Sequence, residues 1–190
     1  MNTKKTFVIA EIGNNHEGNL ALAKKMILLA NKSGVDAVKF QTYNTNDFIN
    51  PILKKNFKRL KKFELSINQF KILRNFAKKL KLKFITTPLD LNSLKKISNN
   101  LDIIKIASSD NNFFYLIEEA LKTKKKIIIS LGLTDNKLLK IIKKKILFFL
   151  NKYNISKKKV AFLHCVTSYP VEDAGVNLKA ILFLKNFFKP

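Results

Sequence analysis

The sequence predicts an α/β protein in which strands and helices alternate six times, and three observations predict it. Short apolar segments recur along the chain, and each ends in polar or titratable side chains. Amphipathic stretches with helical spacing fill the gaps between them. No Gly/Ser-rich linker or low-complexity block divides the 190 residues, so 1–190 reads as one domain.

The first strand, Phe7–Ala10, opens into Glu11-Ile12-Gly13-Asn14-Asn15-His16-Glu17-Gly18. A helix over Asn19–Ser33 follows, with Leu20, Ala23, Ile27, Leu28 and Ala30 as its apolar positions and Gly34 to stop it. Ala37–Val38 opens into Lys39-Phe40-Gln41. Thr42–Leu65 is expected to be a long βα loop of the kind that carries function. Ser66 caps a helix that runs to Leu80 through Phe70, Leu73, Phe76 and Ala77. Phe84–Ile85 opens into Thr86-Thr87-Pro88, and a short helix over Leu91–Ser98 follows. Ile103–Ile104 opens into Lys105-Ile106-Ala107-Ser108-Ser109-Asp110, before a helix over Phe113–Lys122. Lys126–Ile129 opens into Ser130-Leu131-Gly132, before a helix over Asp135–Asn151. Val160–Leu163 opens into His164-Cys165-Val166-Thr167-Ser168-Tyr169-Pro170, and a last helix covers Asn177–Phe188.

Strict alternation argues for a parallel sheet covered by helices. An open doubly wound sheet gathers ligand at one switch point. A TIM-type (β/α)8 barrel instead gathers residues from every strand end, and the polar ends on all six strands favour it. Six units are two short of closure, so the expected barrel is truncated after about six βα units. Such a sheet leaves edges at its first and sixth strands.

A net charge of +24 invites a nucleic-acid reading. The charge is almost all lysine, with only Arg59 and Arg74 as arginines, and the lysines fall mostly on expected helix faces and turns. Arginine leads base and phosphate recognition through its bidentate fork, so solvated lysine faces are favoured and no nucleic acid is expected. A small anionic substrate would still be drawn to this field. No apolar run approaches the roughly 18 residues of a membrane span, and no signal-peptide core is expected at the N-terminus. The single cysteine, Cys165, fits a reducing, cytoplasmic setting.

The strand ends together resemble the sialic acid synthase family, which includes legionaminate and pseudaminate synthases. Ile9–Gly18 resembles its opening signature, and Asp36–Gln41 its second strand. Lys62-Phe63-Glu64-Leu65-Ser66 resembles the start of its second helix. Thr86–Asp90, Lys105–Ser108 and Ile129–Gly132 resemble strands three to five, and Leu163–Pro170 followed by Val176-Asn177-Leu178 resembles the sixth. The resemblance implies a condensation of phosphoenolpyruvate with an N-acetylated aminosugar such as N-acetylmannosamine, giving a nonulosonic acid and phosphate. Mn2+ or Mg2+ is implied for the complete enzyme, with its histidines on strands seven and eight, beyond Pro190. No residue of this chain is therefore assigned to metal. A C-terminal antifreeze-like domain and a homodimer are also implied for the complete enzyme.

Residue by residue, the resemblance makes Glu11 the strand-one carboxylate, for proton transfer or water positioning. It assigns Lys39, Thr87, Lys105, Ser108, Ser130 and Thr167 to phosphoenolpyruvate, a compact trianion that needs ammonium and hydroxyl donors. Gln41 and Tyr169 match sugar-facing positions, and Asn15 and His16 border the same pocket. His164 is read as a packing residue and Cys165 as a small core residue without an activating partner. Two departures stand out: Leu131 replaces a threonine, which is expected to remove a hydroxyl near the anion, and Ser109 replaces a glycine.

Two functional readings follow. One is the N-terminal part of a synthase, inactive by itself and active when complemented by a C-terminal chain. The other is a non-catalytic remnant or split subunit that keeps an anion half-site. Another phosphoenolpyruvate aldolase-like barrel would not explain the Asn-Asn-His-Glu-Gly loop.

Overall fold

The computed structural model describes residues 6–189; the remaining residues of the expected 1–190 domain lie outside that range. Six strands form one sheet in chain order, β1 (Ile9–Gly13), β2 (Ala37–Thr42), β3 (Lys83–Pro88), β4 (Ile103–Ile106), β5 (Lys126–Ser130) and β6 (Val160–Leu163). The pairs β1–β2, β2–β3 and β5–β6 are parallel. The expected α/β class and strand order thus hold; β1 to β4 run two to four residues further into their polar ends than expected, β5 runs one residue further, and β6 ends where expected. The chain packs as two compact units, Met1–Ile103 and Ile104–Pro190.

In the first unit, α1 (Leu20–Lys32) starts at Asn19, whose side chain accepts from Leu22 N–H. It ends where Gly34 turns left-handed at φ +75°. The segment Thr42–Leu65 is not a structureless loop: it holds α2 (Thr45–Phe48) and α3 (Lys54–Phe63). Helix α3 buries none of its residues. Glu64 anchors the insertion by accepting from Thr45 N–H at 2.9 Å and Thr45 Oγ1 at 2.6 Å. Helix α4 (Ile67–Lys79) opens with a capping box between Ser66 and Gln69. Helix α5 (Leu91–Ile97) is capped by Asp90, which also accepts from Asn44 N–H. The core of this unit centres on Phe40, which stacks on Phe84 and meets Phe70 edge-on.

In the second unit, α6 (Phe114–Lys122) buries Leu116, Ile117, Ala120 and Leu121. Helix α7 (Asn136–Lys152), capped by Asp135, buries Leu139, Ile142, Ile146, Phe149 and Leu150. The sixth strand–helix pair differs. Along β6, half-buried Val160 and Phe162 alternate with exposed Ala161 and Leu163. Helix α8 (Lys179–Phe187) buries no residue. No helix is long and apolar enough to cross a membrane among the described residues.

Candidate active site

In the first unit the parallel register sets Glu11 beside Lys39, and Gln41 beside Thr87. The Lys39 side chain is only 9% exposed, and the structure places it inside β2 rather than past the strand's end, because β2 continues to Thr42. Its ammonium lies 2.9 Å from Glu11 Oε2 and donates to Thr87 Oγ1 at 3.0 Å. The Glu11 carboxylate is 58% exposed, so the pair has one buried and one solvent-facing end. Lys39 thus bridges a carboxylate on β1 and a hydroxyl on β3.

The first βα loop is turned by successive bonds from Asn15, Glu17 and Asn19 N–H to Ile12, Asn14 and His16 carbonyls. Asn15 is exposed at its tip, whereas His16 is buried. His16 packs its ring 5.8 Å from that of Phe40, and its Nδ1 accepts from Gly18 N–H at 3.1 Å. Burial holds its imidazole below the ordinary histidine pKa. Asn15 therefore faces solvent while His16 supports the loop from beneath. Gly18 is required here: at φ +80°, a Cβ would lie 2.2 Å from the Lys62 carbonyl oxygen.

In the second unit Lys105 is buried at the end of β4. Its ammonium donates to Ser130 Oγ and, at 2.8 Å, to the Ile106 carbonyl. Ser130 Oγ also accepts from the Cys165 thiol at 3.0 Å. Ser108 Oγ accepts from Gly132 N–H at 3.2 Å, and Thr167 Cγ2 would meet a Cβ at Gly132 at 3.0 Å. Lys105, Ser108, Ser130 and Thr167 are thus gathered around one corner. Tyr169 is 91% exposed and stands apart from that corner's bonding network. Cys165 is half-buried rather than a core residue. His164 Nε2 is bonded to the Val176 carbonyl at 2.8 Å, as its packing role requires.

Two residues of this corner escape a motif-based reading. Asp110 ends the single 3-10 turn Ser108–Asp110 and has a buried Oδ2 with no hydrogen-bond partner. Burial raises its carboxyl pKa, against the opposing effects of a Ser109 hydrogen bond and the Lys105 charge. Asn111, 2% exposed, donates to the carbonyls of Ser130 and Gly132. Their signal in sequence is an acid and an amide directly after the strand-four hydroxyls. Leu131 is buried, so the hydroxyl expected at that position would face packed residues rather than solvent. No group of three or more His, Cys, Asp or Glu side chains among the described residues is arranged to hold a metal ion.

A parallel α/β sheet with helices between its strands is the frame of a TIM-type barrel. A family model described as the NeuB family matches residues 26–190, and the chain belongs to that family. It is 38% identical over 190 residues to an uncharacterized protein of Methanocaldococcus jannaschii, covering 96% of this chain and 52% of that protein. It is 36% identical over 200 residues to N,N'-diacetyllegionaminic acid synthase of Campylobacter jejuni, covering 98% of this chain and 59% of that one. Among solved structures, the N-acetylneuraminic acid (sialic acid) synthetase of Leptospira borgpetersenii, crystallised with citrate, superposes with a TM-score of 0.88 at 31% identity. That match covers 97% of this chain and 62% of the synthetase. The chain spans about half the length of the curated relatives it matches.

Proposed function

We propose that this chain supplies the anion-handling part of a phosphoenolpyruvate-dependent condensation with an N-acetylated aminosugar. The observation that carries the reading is a repeated device: a buried lysine on a strand holding a hydroxyl of the neighbouring strand, Lys39 with Thr87 and Lys105 with Ser130. Family membership and the relatives' activities support the same reaction class. In that reaction a C–C bond forms between the enol carbon and the sugar aldehyde carbon. The aldehyde oxygen takes a proton, water adds to the oxocarbenium-like C2 of the former enol phosphate and loses a proton, and the C2–O bond to phosphate breaks to leave the 2-keto group and phosphate.

Lys39, Thr87, Lys105, Ser108, Ser130 and Thr167 are assigned to phosphoenolpyruvate. Glu11 is assigned proton transfer or water positioning. Asp110 is a second candidate for that work, because its buried Oδ2, near the Lys105 charge, has no hydrogen-bond partner and burial raises its pKa. Gln41, Asn15 and Tyr169 are assigned to the sugar, and His16 to the same loop from below. The described residues supply no metal centre of their own, so no step is assigned to Mn2+ or Mg2+ here. Residues 1–190 are read as the N-terminal synthase barrel, to be completed by the part of the relatives this chain does not match. A homodimer belongs to that completed form.

Phosphate release tests the reading. The chain incubated with phosphoenolpyruvate, N-acetylmannosamine and Mn2+ is expected to release none. Adding the unmatched portion of the Leptospira synthetase as a separate polypeptide is expected to start release. Turnover by the chain alone, or none with the added portion, contradicts the proposal.

A further inference from the structure

The corner after β5 makes an abrupt change of direction. Ser130 Oγ points to Lys105 and Cys165, Leu131 is buried, and Gly132 N–H points to Ser108 Oγ. Three consecutive residues thus present a hydroxyl, a core side chain and a backbone donor. The peptide carbonyls on either side of Leu131 must then be satisfied, because buried carbonyls without partners are costly. Asn111 satisfies both: its Nδ2 donates to Ser130 O at 3.3 Å and to Gly132 O at 2.8 Å.

This geometry fixes what Ser130 can do. Its oxygen accepts from the Lys105 ammonium and the Cys165 thiol, which occupies both lone pairs. That leaves the Ser130 proton as the one donor capacity not used by these two contacts. Gly132 is pinned in the same way. A Cβ there would come within 2.7 Å of Ser108 Oγ, so the corner works only with the backbone in this path.

We infer that Asn111 is the positioning residue of this corner, clamping both carbonyls so that Ser130 Oγ stays on the Lys105 ammonium and Gly132 N–H stays on Ser108 Oγ, which holds the anion-binding side chains in place. Its consequence for ligand binding rests on the function proposed above, while its effect on the corner does not. The sole cysteine of the chain, Cys165, reports on the corner through its bond to Ser130.

The experiment follows alkylation of Cys165 by iodoacetamide, with and without phosphoenolpyruvate, well below each variant's unfolding midpoint. Asn111→Ala is expected to raise the rate about fivefold, the change that losing one ordinary hydrogen bond makes. It is also expected to abolish protection by phosphoenolpyruvate. Leu116→Ala, a cavity in the same unit's core, is the control for general loosening. It is expected to stay within about twofold of the parent rate and keep the protection. If Asn111→Ala does not fold, Asn111→Ser, which retains one donor, should give an intermediate rate. An unchanged rate in either Asn111 variant, or equal rates in the Asn111 and Leu116 variants, overturns the inference. A faster Asn111 variant with no protection in the parent supports Asn111 as the clamp and instead sinks the anion reading.

Discussion

At the residue scale, His16 sets a pH dependence through its burial. Gly18 N–H donates to Nδ1, so the neutral ring carries its proton on Nε2, which has no partner. The folded-state pKa is lowered from the ordinary value of 6.5. Below 6.5 the unfolded chain therefore binds the proton more readily than the folded one. The stability contributed by neutral His16 is complete above that value and is lost as pH falls toward the lowered folded pKa. Urea midpoints at pH 5 and pH 7.5 should differ less in His16→Asn than in the parent; equal pH slopes would show that His16 does not titrate in this way. Glu11, Lys39 and Lys105 were legible in the sequence because each closes an apolar run, where period-two burial gives way to a strand end. Asp110 and Asn111 were not, because they lie past the strand in a single turn with no period to read. Burial and hydrogen bonding, rather than residue type, mark them as part of the site. Leu131, next to Ser130, is buried as well and brings no hydroxyl to that position.

At the scale of elements, the capped helices were readable to within a residue or two, since Asn19, Ser66, Asp90 and Asp135 all cap through their side chains. The two helices of the 42–65 insertion were not. Helix α3 has no side-chain N-cap and buries nothing, so its lysines masked the weak pairing of Phe57 with Leu60. What holds the insertion is Glu64. Burial alone would raise its pKa, but bonds from Thr45 and Lys61 hold it below the usual glutamate value. That contribution is present above the unfolded glutamate pKa and fades as pH falls through the folded one. Thr45→Ala, which removes a buried hydroxyl bond to this carboxylate, should cost about 1–2 kcal/mol by chemical denaturation. Lys61→Ala should cost less than about 0.5 kcal/mol, because its ammonium is exposed and screened. Equal costs for the two would contradict Glu64 as a partly buried anchor. The sixth strand and α8 were legible as elements, but their exposure was not. Nothing in an amphipathic pattern states whether a partner surface is present to cover it.

At the scale of the whole molecule, a charge of +24 spread over lysines gives a field that draws small anions without selecting among them. Selection falls to the few lysines taken out of water and oriented by a neighbouring hydroxyl. Lys39 on β2 and Lys105 on β4 are of this kind, whereas Lys144 on α7 lies exposed to solvent. The family assignment names the reaction class to be tested, and Lys39 and Lys105 are where we propose that this chain takes part in it. The direct measurement is calorimetric titration of phosphoenolpyruvate into the chain and into Lys39→Met, Lys105→Met and Lys144→Met at constant ionic strength. Loss of either charge-assisted contact is expected to weaken a saturable binding event about tenfold or more, while Lys144→Met binds like the parent. Equal affinity across all four proteins would show that only the diffuse field binds the anion, and would contradict the assignment of Lys39 and Lys105.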